Sequence, residues 1–452
     1  MDKKDIIQKV KDSESQKVKI AIVDIDGILR GKYIHKKKFL ESVEENIGIC
    51  DVVFGWDSGD VSYNNSEITG WHTGYPDARA ALDINTFREI PWENDTPFFI
   101  ADFNEHEVYA NETCSRSLLK KIAKECDELG YRPMFAQEFE WFNFQGTPGE
   151  INSAGFDKLS PITPGMFGYS VLRTSLNSDF VHHLIDGLEA FGIPLEGMHT
   201  ETGPGVFEAA VLYDDILAGA DKAVLFKSSV KEIAYRHNMV ASFMAKWNSS
   251  LPGCGGHIHQ SLWNKEGTNN LFFNKDNKNN ISKVLEQYIA GQLLCLPEIL
   301  PMFAPTVNSY KRIGQGDWAP ANATWGIDNR TTAVRVIQGK SKSARIESRV
   351  PGADTNPYLA MAAALASGLY GIKNKLELKT PQTFGSGYNM DKAVVLPKNL
   401  KDATRKMANS KIANELFGKD FIGHFTRTRE WEWMQFEKQV TDWELKRYFE
   451  II

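Results

Sequence analysis

The stretch MFAQEFEWFNF, residues 134–144, places two carboxylates, Glu138 and Glu140, two positions apart within an otherwise apolar run. In a β-strand, residues i and i+2 face the same way. The segment therefore reads as a strand that turns both carboxylates to one side. A lone Glu-x-Glu is usually a solvated strand face. Here Phe135, Phe139, Trp141 and Phe142 argue that the strand lies inside the protein. A buried carboxylate needs a cation beside it, either a metal ion or an arginine.

Other segments extend the pattern. GGHIHQSLW, residues 255–263, carries His257 and His259, and SARIESRV, residues 343–350, carries Arg345, Glu347 and Arg349, again at spacing two. HTETGPGVFEAA, residues 199–210, sets Glu201 and Glu208 on either side of a glycine turn, which lets the two carboxylates converge. The segment NSYKRIGQGDWAPANATWGIDNRTTAVRV, residues 308–336, supplies Arg312, Arg330 and Arg335. Each has a plain structural reading alone: a structural histidine pair, a ladder of surface ion pairs, a turn. The apolar flanks tell against all of these together. Carboxylate-rich sites with a histidine suit Mg²⁺ or Mn²⁺ rather than a structural zinc. Guanidinium groups beside such ions suit phosphate. The combination describes phosphoryl transfer, in which cations neutralise the transferred group. Neither a Walker A sequence nor the protein-kinase motif set occurs, so a nucleotide must be held in another way.

The chain around these segments has 452 residues, long enough for two domains. With 42% hydrophobic and 24% charged residues it has an ordinary globular balance, and a formal net charge of -6 argues against general nucleic-acid binding. Five well-separated cysteines contain no Cys-x-x-Cys pair, so neither a disulfide framework nor a cysteine zinc site is expected. The charged N-terminus and the lack of a long apolar run predict no signal peptide, no membrane span and a cytoplasmic location. Residues 1–16 read as a polar helix or loose arm, residues 17–108 as a small β-rich domain, and residues 109–452 as a large α/β or α+β domain. Asp26-Gly27 predicts a type I′ hairpin with both residues at positive φ. Helices are expected over 113–129 with Gly130 as C-cap, 179–191, 214–237 and 281–295, and from Pro357 onward. The aromatic C-terminal stretch 431–452 is expected to pack on the body.

Taken together, FAQEFEWF, HTETGPGVFE, GGHIHQSL, NSYKR, DNRTTAVR and RIESRVPGADTNPYLAMAA resemble the glutamine synthetase superfamily in order and spacing, over nearly the whole chain. The resemblance implies an α+β protein: an N-terminal β-grasp domain and a large catalytic α/β domain of glutamine synthetase type. It also implies homo-oligomeric rings, often dodecamers, with active sites between subunits. By the same resemblance, Glu140, Glu201 and Glu208 would hold one Mg²⁺ or Mn²⁺, and Glu138, His257 and Glu347 a second. His259, Ser261, Lys342 and Arg345 match positions that contact ATP. Arg330 and Arg335 match arginines on the transferred phosphate. Gly253, Arg312 and Arg349 match positions at the carboxylate substrate. Asp57 matches an N-domain aspartate that reaches the neighbouring subunit's site and helps deprotonate the amine. Asp57, Arg330 and Glu347 carry the catalytic roles. The implied chemistry makes an acyl phosphate from ATP and a carboxylate, then lets an amine displace phosphate.

Two positions depart from true glutamine synthetases. Trp318 stands where those enzymes have a glutamate on a flap over the ammonium, and Pro252 stands where they have an asparagine. A tryptophan can pack on an alkyl or aryl amine, or face a cationic one. The chain thus looks more like the γ-glutamyl–amine ligases, of which γ-glutamylpolyamine synthetases are one kind, with small-molecule amino acid and amine substrates. Alternatives are an ammonia-using glutamine synthetase and a non-catalytic assembly like lengsin. Asp24 and Asp26 in IAIVDIDGIL also look like a phosphatase nucleophile loop. That reading requires a following helix, whereas ILRGKYI reads as a returning strand.

Overall fold

The computed structural model describes residues 2–452 apart from 44, 105, 278, 315–317, 389, 391 and 392. The N-terminal part runs α1 (Lys3–Asp12), β1 (Lys17–Val23), β2 (Leu29–His35), α2 (Lys36–Ser42), β3 (Ile47–Cys50), β4 (Asp77–Leu82), β5 (Arg88–Ile90) and β6 (Thr96–Phe103). Its sheet has the order β2-β1-β6-β4-β3, with β5 also on β6. The central pair β1 and β6 is parallel and its other pairs are antiparallel.

Strand β6, TPFFIADF, is buried throughout, and alternation divides it between two cores. Phe99, Ala101 and Phe103 enter a small cluster with Ile6 and Val10 of α1, so that helix is packed rather than loose. Phe98 and Ile100 face the large core of the rest of the chain. The expected hairpin joins β1 to β2, but not through a type I′ turn. Gly27 alone takes a positive φ, of 80°. Asp24 instead caps the loop, its Oδ1 accepting from the Asp26 and Ile28 amides at 3.0 and 2.9 Å. After Ile28, whose carbonyl accepts from the Asp24 amide, β2 follows from Leu29, the returning strand that the phosphatase reading excludes.

The larger part continues with α3 (Val108–Thr113), α4 (Ser115–Glu128), β7 (Tyr131–Gln145), α5 (Pro148–Ser153), α6 (Val171–Leu176), α7 (Ser178–Ala190), β8 (Leu195–Thr200), β9 (Val206–Val211), β10 (Asp214–Asp215), α8 (Ile216–Arg236), β11 (Met239–Ser242), β12 (Gly256–Asn264), α9 (Lys283–Ile299) and α10 (Ser309–Arg312). Then come β13 (Asn322–Ala323), β14 (Trp325–Ile327), β15 (Val334–Ile337), β16 (Arg345–Ser348), α11 (Pro357–Lys373), β17 (Val394–Val395), α12 (Leu400–Ala408), α13 (Lys411–Phe417), α14 (Lys419–Glu437) and α15 (Asp442–Tyr448). A nine-stranded sheet has the path β14-β15-β16-β12-β7-β9-β8, with β10 and β11 also on β7.

The odd-numbered residues of β7 explain its burial. Phe135, Phe139 and Trp141 are fully buried, and Phe139 stacks on Phe226 of α8 at 5.4 Å. Helix α11 is apolar all round, starts at Pro357 and is capped by Asn356. It packs against α9 closely enough that a Cβ on Gly371 would lie 2.0 Å from the Gln287 carbonyl, so only glycine fits. The C-terminal expectation is only partly met. Trp431 is buried, but Val440, Trp443, Leu445, Phe449, Ile451 and Ile452 are exposed. Among the described residues, no apolar face of the chain covers these side chains past α14.

Candidate active site

The other face of β7 carries Glu138 and Glu140, and sheet register joins them to side chains that the sequence places far apart. Arg335 on β15 lies opposite Glu347 on β16, and Glu347 opposite His259 on β12. His257 lies opposite Glu138, Glu140 opposite Glu208 on β9, and Glu208 opposite His199 on β8. Period-two alternation points these residues to one side, and the antiparallel ladders align them across the sheet. The β8–β9 turn brings Glu201 to the same place. Gly205 makes that turn with φ 73°, and a Cβ there would meet the Asn143 carbonyl at 2.6 Å.

Two adjoining cavities open on this row. One, of about 500 Å³, is lined by Glu138, Glu140, Glu201, Glu208, His257 and Glu347, with Arg312, Arg330, Arg335, Arg349, Gly253 and Trp318 around them. The other, of about 410 Å³, is lined by His259, Ser261, Lys342 and Arg345 with Met134, Tyr213 and Trp263, and it shares Glu138, His199 and Glu208 with the first. Of the expected site residues, Asp57 is the one found at neither. It sits on the loop after β3, where its carboxylate accepts from the Trp431 indole at 2.8 Å. Of the flap segment before Ala319, Trp318 is described, while Gly316 and Asp317 lie outside the described residues.

The site contains two electrostatic environments. In the first, histidines and arginines hold carboxylates in the charged form. His257 Nδ1 lies 3.1 Å from Glu138 and 3.3 Å from Glu347. Burial opposes ionisation of Glu138, but the His257 hydrogen bond and the nearby His259 ring, 3.6 Å away, outweigh it and hold the carboxyl well below its usual range. Burial likewise opposes ionisation of Glu347, but Arg349 and the two histidines bring it down to about 2. Glu347 is gripped by Arg349 and by Arg335, the latter at 2.9 Å. Ligand atoms of Glu138, His259 and Glu347 lie within 4.8 Å of one another, so His259 borders this cluster as well as the second cavity.

In the second environment carboxylates crowd together. Burial pushes Glu208 up to about 8; His199 offsets part of this, and the charges of Glu138 and Glu140 add to it. A buried carboxyl crowded by two others is a place where a cation is favoured. The donor set is therefore chemically suited to a divalent ion such as Mg²⁺ or Mn²⁺. Opposite, Arg312 is fully buried, and its hydrogen bonds go to the Val350 and Arg349 carbonyls rather than to a carboxylate. Such a cation has capacity for an anion entering the cavity.

His199 and Tyr169 were missed in the sequence. His199 Nε2 lies 3.2 Å from Glu208, and its ring stacks on Tyr169 at 4.1 Å. The spacing-two pair His199 and Glu201 is the signal that could have found the histidine. Tyr169 has no such signal, since only the folded chain brings it to the cavity.

Carboxylate clusters facing arginines, beside a second pocket, are chemically suited to a divalent cation and an anionic substrate. The comparisons agree. The family described as glutamine synthetase, catalytic domain, matches residues 112–448. "Type-1 glutamine synthetase 2" of Dictyostelium discoideum is 50% identical over 99% of this chain and 86% of its own length. A glutamate–isopropylamine ligase from Pseudomonas sp is 36% identical over 96% of this chain and 95% of its own. A gamma-glutamylethanolamide synthetase of Streptomyces coelicolor is 34% identical over 96% of this chain and 92% of its own. A solved GmaS–ADP complex superposes with a TM-score of 0.85 at 25% identity, covering 98% of this chain and 99% of that one. The chain belongs to the glutamine synthetase family, and it is an ATP-dependent ligase that forms C–N bonds between small molecules. Among the described residues, no helix is long and apolar enough to cross a membrane.

Proposed function

We propose that this ligase phosphorylates the side-chain carboxylate of glutamate and transfers the acyl group to an organic amine, giving a γ-glutamylamide. The observation carrying this reading is Trp318, which lines the same cavity as the carboxylate row and is 58% exposed there, with φ 63°. A bulky side chain in that backbone region is strained, and such strain gathers at functional positions. An indole offers apolar surface and a ring face to an alkylammonium but no charge to select ammonium.

In this reading Arg312 and Arg349 grip the substrate's α-carboxylate beside Gly253. His259, Ser261, Lys342 and Arg345 hold the nucleotide in the second cavity. Glu140, Glu201 and Glu208 would hold one Mg²⁺ or Mn²⁺, and Glu138, His257 and Glu347 a second. When bound, these ions neutralise charge on the transferred phosphoryl group. A side-chain carboxylate oxygen bonds to the γ-phosphorus of ATP as the bond to the ADP oxygen breaks. Arg330 and Arg335 stabilise the charge in flight. The amine nitrogen then bonds to the acyl carbon, the C–O bond to phosphate breaks, and the amine proton passes to Asp57 of a neighbouring copy. That last role requires a ring-shaped homo-oligomer, of which a dodecamer is one form, with sites between copies.

A second reading, an ammonia-using glutamine synthetase, is favoured by the 50% identical Dictyostelium relative. An assay of phosphate release with ATP, Mg²⁺ or Mn²⁺, glutamate and a panel of ammonium, isopropylamine, ethanolamine and polyamines separates the two. Turnover with an organic amine well above that with ammonium is expected. Trp318→Glu is expected to move the preference about tenfold toward ammonium. Turnover with ammonium alone would refute the organic-amine reading.

A further inference from the structure

The loop that carries Asp57 is held by a helix more than three hundred residues away in sequence. Asp57 Oδ1 accepts from the Gly59 and Val61 amides at 2.9 and 3.0 Å, which closes the loop on itself. A turn-capping aspartate needs nothing more. Oδ2 nevertheless has its own donor, the indole N–H of Trp431 on α14, at 2.8 Å. Trp431 is 5% exposed and meets Tyr63, on the far side of the same loop, edge to face at 5.9 Å. Two residues before it, Arg429 pairs with Asp26 at 2.6 Å, and the Arg427 carbonyl accepts from Asn65 at 2.9 Å. One stretch of α14 thus holds the Asp57 loop at Asp57, Tyr63 and Asn65, and the β1–β2 turn at Asp26. Among the described residues no lysine, arginine or histidine pairs with Asp57, so the carboxylate is oriented by neutral N–H donors and its charge is not cancelled.

We infer that Trp431 is a positioning residue for amine deprotonation: its indole fixes the Asp57 carboxylate and leaves one Oδ2 lone pair to receive the amine proton. This rests on the reading of Asp57 given above. Proton transfer depends on heavy-atom geometry, and a carboxylate free to rotate on its side chain loses the aligned fraction of its conformations.

The test uses two nucleophiles on the full-length protein with glutamate, ATP and Mg²⁺. One is the best of isopropylamine, ethanolamine and ammonium, all protonated at neutral pH. The other is hydroxylamine, which is unprotonated there and needs no base before attack. Trp431→Phe keeps the ring and deletes the donor. It is expected to lower kcat about tenfold for the protonated amine, leaving KM for glutamate and ATP and the hydroxylamine rate within about twofold. The double variant with Asp57→Asn is expected to be no slower than Asp57→Asn alone, because both changes remove one function. Trp431→His, which retains a ring N–H, is expected to bring the ratio of the two nucleophiles back toward that of the parent, and it serves if the phenylalanine variant does not fold. An equal fall with both nucleophiles, or additive losses in the double variant, would make Trp431 merely structural and overturn the inference. If Asp57→Asn keeps full turnover with the protonated amine, the reading of Asp57 fails. If Asp57→Asn is slow and Trp431→Phe is not, Trp431 alone is refuted.

Discussion

Arg116 and Glu208 are both buried ionisable side chains crowded by carboxylates, yet their surroundings are built in opposite ways. The Arg116 guanidinium, between the two sheets, is bound by Asp221 at 2.9 Å, by Asp83 at 2.8 Å and by Asp102. Tyr358 donates to Asp221 at 2.6 Å, and Lys120 joins Asp102, so the cluster is closed within the chain. Burial works against the Asp83 anion, but Arg116 more than compensates and holds it below its usual range. Glu208 meets Glu138 and Glu140 instead, and burial with their charge lifts it to about 8. A buried charge matched by its neighbours holds a fold together. A buried acid set among like charges gains its charge only with a cation beside it.

Four experiments can break or sharpen this contrast. Arg116→Met leaves Asp221 without its ion pair and Asp83 and Asp102 with Lys120 alone, and is expected to cost about 3–5 kcal/mol of stability, read from denaturant midpoints. Glu208→Gln keeps an uncharged side chain among the neighbouring carboxylates. It is expected to leave apo stability within about 1 kcal/mol or to raise it, while ligase turnover falls about 10²–10³-fold. Equal destabilisation by the two changes would erase the distinction.

His424 on α14 is an intermediate case: buried, with nearby Arg429 and Arg427 but no carboxylate partner. Burial, reinforced by those arginines, lowers it from 6.5 to about 4. With a depressed folded value, its contribution is intact above the unfolded value and is lost as pH falls from about 6.5 through about 4. The loss is expected to approach about 3 kcal/mol, and His424→Phe should flatten that part of the acid stability profile measured by urea titration. An unchanged profile would show that the imidazole does not become charged on unfolding.

The smallest of these effects concerns the cavity alone. Mn²⁺ or Mg²⁺ at about 100 times its dissociation constant should stabilise the protein by about 2.7 kcal/mol, reversibly with EDTA. Because the ion must displace the proton held by Glu208, this stabilisation should grow as pH rises through about 8. Calorimetric scans should also show that Glu208→Gln loses it. Retention of the full metal effect in that variant would remove Glu208 from the ligand set.

Much of the site was legible before folding because a strand's period is local. Glu138 and Glu140, His257 and His259, and Glu347 with its flanking arginines declare a common face by spacing alone. Lys342 and Ser261 were found by resemblance, and the fold brings them to the second cavity. The hairpin at Asp26 was legible as a chain reversal but not in its turn type, which depends on Asp24 capping the loop from behind. The C-terminal apolar residues were misread because amphipathic composition signals a buried face without saying which chain buries it. Tyr169 and the Trp431–Asp57 contact were invisible, since the partners share no local pattern.

The sequence by itself determined which side chains stand together on each strand, which arginines accompany them, and that the apolar flanks drive those strands inside. Alternation and burial are properties of a few consecutive residues. Only the tertiary structure decided that Glu208 meets Glu140, that His257 meets Glu138 and Glu347, and that the Asp57 carboxylate is turned by a helix from the far end of the chain. Register and long-range contact arise from packing many segments at once, and no single segment contains that information.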